Sequence, residues 1–171
     1  MERELIVLQR EVGITFVFVT HSQQEALALS HRIAVMNEGR VEQVGSPEQI
    51  YGYPTNRFVA DFIGTINLLP VQIREVAHGH LRLAVSELGE IIAPPPAKST
   101  QSPRVGQPGH FALRPEQVRV ASHGEIRELH NHFNGTVRDY LYLGDVTIYK
   151  IELNNGLIME ALLANSAPGR A

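Results

Sequence analysis

The sequence predicts an α/β segment over residues 1–64, followed by an all-β domain over residues 65–171. The α/β part is indicated by the apolar run Ile14–Val19 and by the helix start that follows it at Ser22. The second part consists of short β-forming stretches separated by turn signals, which is typical of small antiparallel barrels. We expect the junction between the two parts at residues 64–67.

An amphipathic helix over Met1–Val12 is the first predicted element. Leu5 and Leu8 lie on one helical face with charged residues between the apolar positions, and Gly13 ends the helix. The run Ile14–Val19 that follows is rich in β-branched and aromatic residues. This composition predicts a central parallel strand that is buried on both faces.

His21 is the candidate functional residue of this part. It follows the predicted strand, and Ser22 with Glu25 forms a capping box that begins a helix from Gln23 to about Ser30. Ligands of open α/β sheets bind at the carboxyl ends of the strands, which makes this a functional position. A histidine at a strand end can equally hydrogen-bond a nearby backbone group, so spacing alone leaves both roles open.

A β-hairpin and two short helices complete the first part. Ile33–Met36 and Arg40–Val44 are predicted to pair about a turn at Asn37–Gly39. Ser46 caps a second helix, with proline at its first position, and Asn56 caps a third.

Eight stretches are candidate strands of the second part. They are Leu69–Val76, Leu81–Val85, Glu90–Ala93, His110–Leu113, Gln117–Ala121, Gly135–Leu141, Thr147–Leu153 and Leu157–Leu163. The tract Pro94–Pro108 holds five of the ten prolines and predicts an extended linker between sheet segments.

Composition narrows the function classes. The chain has 171 residues, 43% of them apolar, so it can bury a core in one or two domains. It contains no cysteine, which excludes disulfides and thiolate metal sites. A net charge of -3, without any Lys/Arg cluster, argues against a nucleic-acid partner. We find no apolar run long enough to span a bilayer and no signal-peptide pattern, so we expect a cytoplasmic protein.

Two groups of motifs carry a resemblance to a known family. The first resembles the switch-histidine region of ABC transporter ATPase subunits and comprises Thr20–Ala26, Ser30–Met36 and Gly39–Val41. The second resembles the C-terminal regulatory (TOBE) region of importer ATPases and comprises Phe58–Gly64, Asn67, Leu113–Glu116 and Tyr142–Asp145. Importers of polyamines such as putrescine and spermidine look most similar, with ferric-iron and sugar importers next.

The resemblance implies that residues 1–64 are the C-terminal fragment of a P-loop ATPase domain and that residues 65–171 are an OB-like TOBE domain. It implies that His21 is the switch histidine, which contacts the γ-phosphate of ATP and the attacking water. It also implies a homodimer with a second ATPase subunit, membrane permease subunits as partners, and a location at the cytoplasmic face of the inner membrane.

The motifs that would hold a nucleotide are missing from the sequence. It contains no Gly-x-x-x-x-Gly-Lys-Ser/Thr loop, no signature loop with adjacent glycines and no Asp-Glu dipeptide of a Walker B strand. ATP and Mg²⁺ belong to the full-length family, and we expect neither to be bound by this chain alone. We therefore expect a truncated product or an excised fragment with a regulatory or dimerising role and no ATP hydrolysis. The alternative is a stand-alone β-barrel that binds a small ligand.

Two further motifs have a structural interpretation. The pairs His78/His80 and His130/His132 could share a metal ion, but without a third ligand of fixed spacing surface turns are the simpler interpretation, and we predict no metal site. Arg114–Glu116 is predicted to be a structural turn with an exposed ion pair.

Overall fold

The computed structural model describes residues 2–96, 102–121 and 131–165. The chain divides into two compact units, Met1–Gly64 and Thr65–Ala171. Within the described ranges, no helix combines the length and the apolar character that crossing a bilayer requires.

The first unit contains four helices and one hairpin among its described residues. They are α1 (Glu2–Val12), α2 (Gln23–Leu29), β1 (Ile33–Asn37), β2 (Arg40–Gly45), α3 (Pro47–Gly52) and α4 (Arg57–Phe62). The helix that was predicted over Met1–Val12 is confirmed from Glu2 onward, and Gly13 ends it in a left-handed conformation with φ of 68°. The other predicted helices and the hairpin are confirmed as well.

The turn of the hairpin explains why its prediction holds. Asn37 pairs with Arg40 across a two-residue turn in which Glu38 and Gly39 both have positive φ, 47° and 78°. This is the geometry of a type I′ turn, which matches the twist of antiparallel strands. The hairpin is therefore specified by residues that are adjacent in sequence.

Side chains cap both short helices as predicted. At α3 the Ser46 hydroxyl accepts a hydrogen bond from Gln49 N (3.3 Å), and Ser46 N donates to Gln49 Oε1 (3.1 Å), which completes a capping box. At α4 Val59 N donates to Asn56 Oδ1 (2.9 Å). These bonds satisfy amide groups that a helix start leaves without partners.

A small core holds the first unit together. It consists of Ile33, Val35, Ile50, Val59 and Ile63. Ala26 and Leu27 of α2 pack against it, so the hairpin and α2 share this core. The partly buried side of α2 thus packs against a core that an antiparallel hairpin helps to form.

The predicted buried strand Ile14–Val19 is wrong in this structure. The segment is extended but pairs with no strand among the described residues, and Val17 and Val19 are 90% and 93% exposed. A strand that is buried on both faces needs a pairing neighbour along its edges and a packed layer on each face. The described part of the first unit supplies neither, because its only sheet is β1–β2.

The second unit is β-rich, as predicted, and is consistent with an OB-like domain. Its strands are β3 (Asn67–Ala77), β4 (His80–Val85), β5 (Gly89–Ala93), β6 (Pro108–Leu113), β7 (Gly135–Tyr142), β8 (Val146–Leu153) and β9 (Ile158–Ala164). They form two antiparallel sheets, ordered β5-β4-β3-β6 and β7-β8-β9. Residues 97–101 of the proline-rich tract lie outside the described residues.

One predicted strand of this unit, Gln117–Ala121, is wrong. Pro115–Gln117 forms a single 3₁₀ turn, and residues 118–121 form no strand. Proline at the first position fixes φ, and Arg114 N donates to Gln117 Oε1 (2.9 Å), which closes the turn. The local turn chemistry therefore outweighs the β propensity of the following residues.

The two sheets of the second unit share one hydrophobic core. Its buried members are Leu69, Val71, Ile73, Leu81, Leu83, Val85, Ile91 and Ala93 from the first sheet, with Leu153 and Met159 from the second. Alternate residues of β3 and β4 are buried, as expected for strands with one face on a core.

Two asparagine side chains bind the backbone of a strand that is remote in sequence. Asn67 is 6% exposed; its Nδ2 donates to Glu160 O (2.8 Å) on β9, and Glu160 N donates to its Oδ1 (2.7 Å). Asn131, which is exposed, makes the same pair of bonds with Ile92 of β5, both at 2.8 Å. Each amide thus takes the place of a neighbouring strand.

The exposure predicted for Arg114 is wrong. The motif Arg114–Glu116 is a structural turn, as predicted, but Arg114 is only 4% exposed. Its Nη1 donates to the backbone oxygen of Thr65 (3.0 Å) at the start of the second unit. The guanidinium is therefore buried and donates to the backbone, whereas the sequence predicted an exposed group.

Candidate functional site

His21 lies between the exposed segment Ile14–Val19 and the helix α2. Its side chain is exposed. Because Ile14–Val19 is not a strand here, His21 does not stand at the carboxyl end of a sheet, as the sequence had led us to expect. The predicted helix α2 is present, and it begins two residues after the histidine.

A closed set of hydrogen bonds surrounds His21. Ser22 Oγ accepts from Glu25 N (3.3 Å), which is the predicted cap of α2. The Thr20 hydroxyl donates to Glu25 Oε2 (2.8 Å), and Ser22 N donates to Thr20 Oγ1 (2.9 Å). The Glu25 carboxylate thus accepts from Thr20 in place of the Ser22 amide that a simple capping box would use.

These three bonds join the residues on either side of His21 to the first turn of α2. The backbone at Thr20 and Ser22 is thereby held in one conformation, while the imidazole between them remains accessible. An accessible imidazole can donate a hydrogen bond to an anion. The part played by Thr20 was not predicted, although a threonine hydroxyl that accepts from the backbone amide two residues later is a recognised local pattern.

The residues present do not by themselves form a nucleotide site. A phosphate cradle needs a glycine-rich loop with its lysine and a carboxylate for Mg²⁺, and the sequence contains neither motif. His21 is one imidazole at a helix start.

The other histidines do not assemble into a metal centre in the part of the chain that the structure describes. His78, His110 and His132 are exposed, and His80 is partly buried. No group of three or more potential metal-binding side chains occurs among the described residues. His123 and His130 lie outside them.

Comparison with known proteins gives one family match. The TOBE domain family matches residues 111–171, the C-terminal part of the second unit. The match includes η1, the turn at Pro115–Gln117, and strands β7, β8 and β9.

Curated relatives match the whole chain. The spermidine/putrescine import ATP-binding protein PotA of Nitrosospira multiformis is 56% identical over 171 residues, which is 100% of this chain and 46% of the relative. The protein of the same name in Nitrosomonas eutropha is 54% identical, with the same coverage. In Pseudomonas aeruginosa, PotA 2 is 52% identical over 174 aligned positions, again 100% of this chain and 46% of the relative.

This chain thus spans less than half the length of the relatives that it matches. The similarity extends across both units and is not confined to the TOBE match. The resemblance that the motifs indicated is confirmed: the chain is similar over its whole length to the C-terminal part of spermidine/putrescine import ATP-binding proteins of the ABC importer type, and it contains a TOBE domain.

Proposed function

We propose that this chain is the C-terminal portion of the ATP-binding subunit of an ABC importer that takes up polyamines such as spermidine or putrescine. The observation that carries the proposal is the similarity to proteins of that name at 52–56% identity over the entire chain. The ferric-iron and sugar importers that the motifs also resembled are the less favoured substrate classes.

The exposed segment Ile14–Val19 supports an incomplete ATPase domain. Phe16, Val17, Phe18 and Val19 are between 44% and 93% exposed, although all four are residues that normally form cores. Burying a large apolar side chain stabilises a protein by about 1.5–3 kcal/mol, so this segment alone would contribute several kcal/mol on entering a sheet. We assign it to the parallel sheet of the P-loop ATPase domain in the complete subunit.

We assign His21 to the nucleotide site of that complete domain. Thr20, Ser22 and Glu25 are positioned to hold the turn that presents it. The loops that would bind ATP and Mg²⁺ are not in this sequence, so purified chain should hydrolyse ATP no faster than background. Robust turnover would contradict the assignment.

The partners follow from the same proposal. The complete subunit would form a homodimer, contact the membrane permease subunits, and lie at the cytoplasmic face of the inner membrane. The second unit would act as the regulatory domain. No nucleic-acid partner is proposed.

Polyamine uptake in the source cell tests the proposal. Disrupting the coding region should abolish uptake of radiolabelled spermidine and putrescine and leave ferric-iron and sugar uptake unchanged. In the chromosomal copy, His21→Ala should reduce polyamine uptake at least about tenfold, since donors placed at developing charge contribute about 100-fold or more. His31→Ala is the matched control, because His31 is also exposed and flanks the other end of α2.

The alternative of a stand-alone ligand-binding barrel makes a different prediction. A protein of that kind should be stabilised by its ligand in a thermal-shift screen of polyamines, oxyanions and nucleotides. Our proposal expects no such stabiliser for the isolated chain. A specific stabiliser together with unchanged polyamine uptake would overturn it.

A further inference from the structure

The strand β7 presents an uncovered edge. All eight of its residues are exposed, and its only strand partner among the described residues is β8. Tyr140 and Tyr142 are 66% and 65% exposed, and Leu141 is 57% exposed. Such an edge is a template for pairing with another strand.

Two other strands of this unit have part of their backbone covered by an asparagine side chain. Asn131 covers part of β5 through its two bonds to Ile92, and Asn67 covers part of β9 through its two bonds to Glu160. On β7 the described structure shows one comparable bond, in which Tyr140 N donates to the Asp139 carboxylate (2.8 Å). The outer edge of β7 therefore keeps most of its backbone groups available.

The hairpin geometry identifies the backbone groups that point outward. Leu143 N donates to Val146 O (2.9 Å) and closes the β7–β8 hairpin. Backbone groups alternate in direction along an antiparallel strand, so Leu141, two residues earlier, also faces β8. Tyr140 and Tyr142 therefore direct their N–H and C=O groups away from the sheet, in agreement with the bond from Tyr140 N to Asp139.

We propose that the β7 edge pairs antiparallel with the β7 edge of a second copy of this chain, about a two-fold axis at Leu141. In this register, Tyr140 stands opposite Tyr142 of the second copy, and Leu141 stands opposite Leu141 of the second copy. The outward groups of the tyrosines exchange backbone hydrogen bonds in two symmetric pairs. The two three-stranded sheets become one six-stranded sheet.

Symmetry and side-chain chemistry select this register. A two-fold axis perpendicular to a sheet keeps each side chain on its own face of the sheet. The axis must therefore pass beside one residue, which then stands opposite the same residue of the second copy. An axis at Asp139 would oppose two carboxylates, and one at Arg138 would oppose two guanidinium groups. An axis at Leu141 creates two aromatic cross-strand pairs, which are among the favourable pairs in sheets.

The exposed area is sufficient for a weak dimer. Tyr140, Leu141, Tyr142 and Leu143 are 52–66% exposed. With about 200 Å² for a large side chain, they offer at most about 480 Å² per copy and about 1,000 Å² in a pair, near the lower limit of specific interfaces. We therefore expect a dissociation constant on the order of micromolar.

The Asp139 carboxylate opposes the pairing. It occupies the Tyr140 amide that the second copy would need as a donor. Removing both side-chain oxygens, as in Asp139→Ala, should therefore free the amide and tighten the dimer. Asp139→Asn removes the charge but keeps an acceptor oxygen, so it shows how much of the effect comes from the loss of charge repulsion alone.

The inference deepens the proposed function, because it names a surface by which two copies meet. Sedimentation equilibrium of the purified chain tests it. We expect Leu141→Lys to raise the dissociation constant at least about tenfold, because it places two ammonium groups opposite each other. Ile158→Lys is the matched control: Ile158 is 53% exposed on β9 of the same sheet, and its substitution should change the dissociation constant less than about twofold. Asp139→Ala should lower the constant about threefold to tenfold, and Asp139→Asn should lower it less.

Cross-linking tests the register itself. The chain has no cysteine, so Leu141→Cys introduces a single thiol. Residues opposite each other in a pair without hydrogen bonds have Cα atoms about 4.5 Å apart, within the range that a disulfide spans. Mild oxidation should convert Leu141→Cys to a covalent dimer and leave Ile158→Cys largely monomeric.

Failure of this inference and failure of the proposed function would give different results. A chain that stays monomeric at about 100 μM overturns the inference, and so does a dimer that Leu141→Lys does not weaken or equal cross-linking of the two cysteine variants. None of these results affects the proposed function, which is tested by polyamine uptake. Unchanged polyamine uptake after disruption of the coding region would overturn that function and would leave the β7 dimer unaffected.

Discussion

The substitution Asn67→Ala tests how the two sheets of the second unit are joined. The Asn67 side chain is 6% exposed and makes two hydrogen bonds to the backbone of Glu160, at 2.8 and 2.7 Å. Alanine removes both bonds and leaves a backbone N–H and a C=O of β9 without these partners. A buried polar group left unsatisfied costs about 1–3 kcal/mol.

Glu160 is only partly buried, so water can reach part of the vacated position. We therefore take the lower end of that range for each group and expect Asn67→Ala to lower the free energy of unfolding by about 2–3 kcal/mol. Asn131→Ala provides the matched control, because Asn131 makes the same two bonds, to Ile92, but at an exposed position. Water replaces the lost amide there, and the expected cost is about 0.5 kcal/mol.

Urea denaturation followed by far-UV circular dichroism measures both variants, since the chain has no tryptophan. Amide hydrogen exchange on peptides that contain β9 or β5 assigns each change to its strand. If Asn67→Ala lowers the free energy of unfolding no more than Asn131→Ala does, the reasoning is refuted. Burial would then not determine how much stability is lost when such an asparagine is removed.

Two further predictions concern single side chains. In Gly135→Ala the new Cβ would lie 2.9 Å from the backbone oxygen of Glu152, so β7 must move away from β8. Thermal denaturation should show that the free energy of unfolding falls by about 1–3 kcal/mol. In the control Gly109→Ala the nearest contact of the new Cβ is 3.9 Å, and the loss should be less than about 1 kcal/mol. A hydrogen bond from the Ser46 hydroxyl lowers the pKa of Glu48 below its ordinary value of 4.5, and the resulting stabilisation is present at neutral pH and is lost as the pH falls through that lowered pKa. The stability difference between the wild type and Glu48→Gln should thus shrink in melting curves below pH 4.5, and a difference that grows on acidification would contradict this account.

The segment Ile14–Val19 shows where reasoning from sequence stops. Its composition predicts a strand buried on both faces, and the structure leaves it exposed. Composition indicates which surroundings a segment suits, but burial requires other elements to be present beside it. His21 is affected in the same way, because its predicted place at a sheet edge depended on that strand.

Arg114 and Thr20 depart from expectation for a related reason. The motif around Arg114 predicted a turn, which is confirmed, but the burial of the guanidinium against Thr65 O depends on residues 49 positions apart. At α2 the sequence predicted that Ser22 and Glu25 would cap the helix. The carboxylate of Glu25 instead accepts a hydrogen bond from the Thr20 hydroxyl. Spacing alone does not decide whether it accepts from that hydroxyl or from the Ser22 amide.

By itself the sequence determined the helix starts, the hairpin at Glu38-Gly39, seven of the eight predicted strands of the second unit and the resemblance to importer ATPases. These features depend on turn geometry, capping and alternation within a few residues, where the interacting groups are neighbours in the chain. The tertiary structure alone decided that Ile14–Val19 is exposed, that Asn67 joins β9, and that β8 is the one described strand that pairs with β7. Each of these depends on which distant segment lies alongside, and no local pattern of residues specifies that.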